Sequence, residues 1–227
     1  PTAAMFASKE KQVIGVDVNQ HAVNTINEGK IHIVEPELEV MVKKAVDGGF
    51  LKAKLSLESA DAFLIAVPTP FVSGKTEDSV PQPDLSFIES ASKSVARVLK
   101  KGDLVILEST SPVGATEQMT AWLADARPDL TFPQIHGESS DIRVAYCPER
   151  VLPGHVVREL VENDRIIGGM THKCSMSATE LYKIFVNGEC IVTNARTAEM
   201  AKLTENASRD VSIAFANELS IICDNLG

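Results

Sequence analysis

The chain has 227 residues, 44% of them hydrophobic and 23% charged, enough to bury a sizeable core in one large domain or a little more. A net charge of −9 without a Lys/Arg cluster argues against nucleic acid and anionic membrane surfaces, and no apolar run approaches the ~20 residues of a membrane span. The four cysteines are widely spaced with no CxxC, and the five histidines show no metal-ligand spacing, so the expectation is reduced thiols in a cytoplasmic protein with no metal site.

Residues 1–9 read as the tail of a small-residue helix begun further upstream. Residues 12–18 (QVIGVDV) make an apolar strand that closes on Asp17, and helical patterns follow over 19–27 and 35–46. Residues 61–67 (DAFLIAV) have the continuous apolar character of a buried strand and run into Pro68-Thr69-Pro70. The stretch 71–84, rich in Gly, Pro and charge, reads as a surface loop. A helix over 85–99 precedes a second apolar strand at 103–107 (DLVIL). Ser111-Pro112 should open the next helix, through about 124, with Ser as N-cap and Pro at the first helical position. A loop over 127–141 leads to a strand at 142–146, a short strand at 165–168, a helix over 172–185 and a last strand at 189–193. A long helix over 196–227 ends the chain. Apolar strands separated by helices imply an α/β, doubly wound, mostly parallel sheet covered on both faces.

The long helix carries the most informative chemistry. At roughly 100° per residue, Asn206 falls about 40° and Arg209 about 20° from Lys202. Met200, Leu203, Ala207, Val211, Phe215, Leu219, Ile222 and Leu226 lie on the other side and are expected to bury. An ammonium beside an amide suits a substrate oxygen that becomes negative during reaction; the alternative is an ordinary solvated face. Asp17 stands where a dinucleotide fold places the acid for the adenosine ribose, although that acid normally follows a GxGxxG loop by ~20 residues and no such motif is present here. Thr69, Thr110 and Thr116 follow strand ends and offer hydroxyls to a ribose, phosphate or water, or else cap turns. In YCPERVLPG (146–154), Glu149 can serve as a general base and Arg150 can hold a diphosphate or sugar oxygen; the alternative is a surface ion pair.

Taken together, IGVDVN (14–19), AVPTP (66–70), LESTSPVG (107–114), YCPERVLPG and AEMAKLTENASRD (198–210) resemble the nucleotide-sugar 6-dehydrogenases over essentially the whole chain. The resemblance implies a Rossmann-like fold whose first strand and Gly-rich loop precede Pro1. It implies an NAD-binding domain over 1–194, the start of a central dimerisation helix over 195–227, and a UDP-sugar-binding domain and nucleophilic cysteine beyond Gly227. The activity implied is an NAD-dependent four-electron oxidation of a sugar C6 alcohol to a carboxylate, in a homodimer. By position, Lys202 resembles the cation that steadies the oxyanion, Asn206 its amide partner, and Glu149 the base for thioester hydrolysis. Arg150, Val151 and Arg209, with Lys202 and Asn206, resemble substrate contacts; Asp17, Thr69, Thr110 and Thr116 resemble NAD contacts.

Two features depart from the pattern. UDP-glucose dehydrogenases read Pro-Glu-Phe with a second Glu four residues on, whereas here Arg150 follows Glu149 and Pro153 holds the second-Glu position. None of the cysteines present has the nucleophile's Gly-rich context, so Cys147 is assigned no catalytic role. A non-catalytic nucleotide-binding or dimerising module is the alternative of another class. A one-step dehydrogenase would fit the fold and leave the Pro-Glu-Arg turn and the Lys/Asn helix unexplained.

Overall fold

Strands and helices alternate along the chain in a computed structural model that describes residues 1–31, 35–72, 80–151 and 154–227. His32, residues 73–79 of the expected 71–84 loop, and Leu152 and Pro153 of the Pro-Glu-Arg turn lie outside the described residues. The first half runs α1 (Thr2–Ser8), β1 (Val13–Val16), α2 (Gln20–Asn27), α3 (Pro36–Asp47), β2 (Leu51–Lys54), β3 (Ala62–Ile65), α4 (Ser86–Ala96), β4 (Leu104–Leu107) and α5 (Ala115–Ala126). The second runs α6 (Pro133–His136), β5 (Arg143–Tyr146), α7 (Val156–Glu162), β6 (Arg165–Gly169), α8 (His172–Tyr182), β7 (Cys190–Asn194) and α9 (Ala195–Leu226).

The strands form a parallel pair, β1-β2, and a separate five-stranded sheet ordered β3-β4-β5-β6-β7. Every pairing in the larger sheet is parallel except β5 with β6, where Ala145 faces Gly169 and Tyr146 faces Gly168. All four residues of β4 are buried, as expected of a central strand covered on both faces. Alternation sends successive side chains to opposite faces. Phe63, Ile65, Val105, Leu107, Val144 and Tyr146 share one core with Met119 and Leu123 of α5 and with Ala195 and Ala198 of α9. Leu104, Ile106, Ala145, Cys147 and Ile167 share another with Met5 and Phe6 of α1 and Ala178 and Tyr182 of α8. The β1-β2 pair builds a smaller core from Ala4, Ala7, Leu38, Val42, Ala45 and Leu51.

Several expectations need correction. The strand β2 and the helices α6 and α7 have no counterpart in the sequence reading. In LKAK only alternate residues are buried, and α6 and α7 span four and seven residues, too few for a periodic pattern to stand out. The helix expected at Ser111 begins at Ala115, with Gly114 in a left-handed conformation (φ 97°) at its N-cap. Ser111 instead donates to the Ser109 carbonyl at 2.9 Å. Finally, the apolar side of α9 is not buried: Val211, Phe215 and Leu226 are 67%, 64% and 82% exposed. From Thr204 onward nearly all of the helix runs past the domain, with little among the described residues to pack on.

Candidate active site

The residues of α9 that do bury are Ala195, Ala198, Glu199 and Lys202, a three- and four-residue spacing that traces one stripe on the first two turns. Asn194 caps this start by accepting from the Thr197 N–H at 2.9 Å. The stripe lies close against β6 because position 168 is glycine: a Cβ there would come within 2.6 Å of the Ala198 Cβ. Small residues thus seat the helix, and Lys202 is carried into a position only 8% exposed. Burial lowers the pKa of its amine; Glu205 and Glu149 oppose that shift, and Arg209 and Arg150 reinforce it. No hydrogen bond to the described residues engages the amine, so it remains available to a substrate oxygen.

Glu149 follows the end of β5 by three residues, and its Oε1 is buried without a hydrogen-bond partner among the described residues. An unpartnered buried carboxylate oxygen is unfavourable by about 1–3 kcal/mol, and such groups are found where chemistry requires a free acceptor. The adjacent Arg150 is held by Glu205 of α9, with Nε to Oε2 at 2.8 Å and an NH2 to Oε1 contact at 3.4 Å. Arg209 NH2 donates to the same Oε1 at 3.2 Å. Arg150, Val151, Glu205 and Arg209 line a cleft of about 290 Å³ together with Glu159, Asn163 and Asp164. The three substrate contacts expected from the Pro-Glu-Arg turn and the long helix therefore share one cleft. Lys202, Asn206 and Glu149 do not line it; Asn206 is half-buried one turn beyond Lys202.

The loops after β3 and β4 are stitched to each other. Ser109 Oγ accepts from the Val67 N–H at 2.8 Å and donates to the Val67 carbonyl at 2.8 Å. Thr69 Oγ1 donates to the Thr110 carbonyl at 2.6 Å, and the Thr110 side chain is exposed. Asp17, exposed just past β1, accepts from the Asn19 N–H through Oδ1 at 2.8 Å, and its other oxygen has no hydrogen-bond partner among the described residues. It stands on the separate β1-β2 pair, and Thr69 and Thr110 stand on the larger sheet. Thr116 is fully buried and its hydroxyl donates to Glu199 Oε1 at 2.6 Å, so it faces the helix rather than an open crevice.

Three acids central to this region were given no role in the sequence reading. Glu199 accepts from the Gly114 and Thr116 N–H groups at 2.6 and 2.8 Å, so it caps α5 from 85 and 83 residues away. Glu205 bridges the two arginines. The helical wheel that singled out Lys202 places both within about 60° of it, which was the available signal. Glu108 has no such local signal. Its buried carboxylate accepts from Thr2 of α1 and Tyr182 of α8, each at 3.1 Å, with Arg165 at 3.9 Å, a convergence only the fold brings about. Burial raises the Glu108 pKa, and Arg165 opposes the shift. Burial also pushes the Cys147 thiol up to about 12, so at neutral pH it is not a thiolate.

Comparison with known proteins places this geometry in context. Residues 1–186 match the NAD binding domain of the UDP-glucose/GDP-mannose dehydrogenase family, and residues 196–227 match that family's central domain. Over all 227 residues the chain is 69% identical to a UDP-N-acetyl-D-mannosamine dehydrogenase of Yersinia pestis, covering 53% of that protein. It is 68% identical to an NDP-N-acetyl-D-galactosaminuronic acid dehydrogenase of Ralstonia nicotianae, covering 52% of it. The native structure of the UDP-N-acetyl-mannosamine dehydrogenase of Staphylococcus aureus superposes with a TM-score of 0.86 at 42% identity, over 100% of this chain and 52% of that one. The chain spans about half the length of the curated relatives it matches.

Proposed function

The chain belongs to the UDP-glucose/GDP-mannose dehydrogenase family, and from that premise we propose that it is the NAD-binding part and the start of the central helix of a nucleotide-sugar 6-dehydrogenase. The reaction is the four-electron oxidation of UDP-N-acetyl-D-mannosamine at C6 to the uronate, for bacterial surface polysaccharide synthesis in the cytoplasm. The sugar rests on similarity to the Yersinia pestis and Staphylococcus aureus proteins. UDP-glucose, UDP-N-acetylglucosamine and the sugar of the Ralstonia nicotianae relative are the competing substrates.

The observation that carries the reading is the buried, unbonded Lys202 amine within the field of Glu149, whose own Oε1 has no partner among the described residues. The donor set fits NAD: an exposed carboxylate at Asp17 for a ribose diol, and hydroxyl-bearing loops at the carboxyl ends of β3 and β4. When bound, NAD accepts hydride, two equivalents per sugar for four electrons. The ammonium of Lys202 holds the C6 oxygen as its proton leaves, with the Asn206 amide as second donor. Glu149 takes a proton from water in the hydrolytic step. Arg150, Val151 and Arg209 orient the nucleotide-sugar in their cleft. Thr116 serves this region through Glu199, as part of the scaffold under the 109–114 loop.

We further propose that a strand supplied from outside these residues joins β1 to β3, each of which has a single ladder partner among the described residues. The exposed apolar side of α9 is proposed as the homodimer contact. In the intact enzyme, Lys202→Ala should lower kcat by about two to four orders of magnitude, as loss of a group that stabilises developing charge does. NADH absorbance at 340 nm with UDP-N-acetyl-D-mannosamine measures it. Near-normal turnover of the variant would refute the role of Lys202. Failure of the unaltered enzyme to form two NADH per sugar with UDP-N-acetyl-D-mannosamine would refute that substrate, and failure with every competing sugar as well would leave a non-catalytic nucleotide-binding module.

A further inference from the structure

The face of α9 that borders the cleft beside the Pro-Glu-Arg turn carries a charge pattern that extends past the cleft to Lys202. Lys202, Glu205, Asn206 and Arg209 follow one another at i, i+3, i+4 and i+7 on α9, so a single face presents two cations with an acid between them. A third cation, Arg150, arrives from the loop after β5. Its backbone is pinned by Asn163, whose Nδ2 donates to the Arg150 carbonyl at 3.1 Å. Glu205 contacts both guanidiniums, Arg150 through both carboxylate oxygens and Arg209 through one. Its side chain is 26% exposed, against 34% for Arg150 and 48% for Arg209, so the acid is the innermost of the three.

Two guanidiniums on different elements repel each other and would splay apart without an acid between them. One carboxylate shared between them fixes their separation and leaves each with further N–H donors facing the cleft. Such a pair of planar guanidiniums matches the multiply charged oxygens of a nucleoside diphosphate.

We propose that Glu205 is a positioning residue for the nucleotide-sugar: it holds Arg150 and Arg209 as a two-guanidinium clamp and sets a counter-charge against Lys202 on the same helix face. The inference rests on the dehydrogenase reading above and names a residue that this reading leaves without a role. Glu149, Arg150, Glu205 and Arg209 are the charged groups acting on Lys202. Neutralising Glu205 leaves two cations facing the ammonium with Glu149 as the one remaining acid in that set, which favours loss of its proton.

The test is steady-state kinetics of the intact enzyme across pH. In Glu205→Gln the KM for the UDP-sugar rises at least about tenfold while the KM for NAD stays near its original value. The alkaline limb of kcat moves to lower pH by about half a unit or more. Glu205→Asp, one methylene shorter, shows the KM rise without the displaced limb, because the negative charge remains. Unchanged UDP-sugar KM in either variant overturns the proposal, as does loss of thermal stability with KM and limb both unmoved. An unaltered enzyme that reduces no NAD with any UDP-sugar overturns the dehydrogenase reading instead, so the two failures are distinguishable.

Discussion

At Lys202 burial and charge oppose each other, and the outcome sets a measurable pH dependence. Burial disfavours the ammonium, and Arg209 and Arg150 push the same way; Glu205 and Glu149 push back. The net shift is downward from 10.5, the value of a free lysine. An amine with a lowered pKa holds its proton only below that lowered value, so a reaction needing the ammonium weakens as pH rises through it. The alkaline limb of kcat in the intact enzyme should therefore fall below pH 10.5. A pH-rate profile checks this, and a rate sustained beyond that pH would show that the charge on Lys202 is not required. The residue types of this site were readable along the chain as a lysine, an amide and an arginine at helical spacing, a pattern that an ordinary solvated face shares. Burial of the lysine was not readable, because it depends on Gly168 and Ala198 letting α9 approach β6.

Among the elements, α5 shows how a local rule is overridden. Ser111-Pro112 satisfies the preference for a serine cap and a proline first residue, yet the helix begins at Ala115. A carboxylate from a distant helix caps it more fully than a hydroxyl can, since Glu199 takes two backbone N–H groups and the Thr116 hydroxyl together. The freed segment 109–114 becomes a loop at the carboxyl edge of the sheet. Glu199→Ala should lower the unfolding free energy by about 2 kcal/mol, combining a lost cap with buried donors left unpaired. It should also raise the KM for NAD several-fold through the loosened loop. Denaturant titration and NADH kinetics on the same preparation separate the two effects, and a stability loss below about 0.5 kcal/mol would contradict the capping role.

For the molecule as a whole, α9 leaves an apolar strip uncovered. Val211, Phe215, Leu219, Ile222 and Leu226 recur at three- and four-residue intervals and are all exposed. A continuous strip of this kind marks an interaction surface. If two copies meet there, Val211→Asp with Phe215→Asp should convert the intact protein from dimer to monomer, as read by size-exclusion chromatography with light scattering. A dimer that persists would move the interface elsewhere. The same strip shows a limit of periodicity: the wheel marks an apolar side, and it does not say whether the partner surface lies within the same chain.

The chain's order of apolar strands, helices and Pro-, Ser- and Thr-rich turns was sufficient for an α/β class and for the identity of most candidate site residues, because those depend on spacings of a few residues and on side-chain chemistry. Which groups are buried, paired or left free came from contacts between segments far apart in the chain: Glu199 on the start of α5, Glu205 between Arg150 and Arg209, Glu108 joining α1 to α8. Each depends on at least one long-range electrostatic match, with Arg150 in the case of Glu205, whose partners carry no shared local pattern, so it becomes visible when the strands are in register and the helices are seated on them.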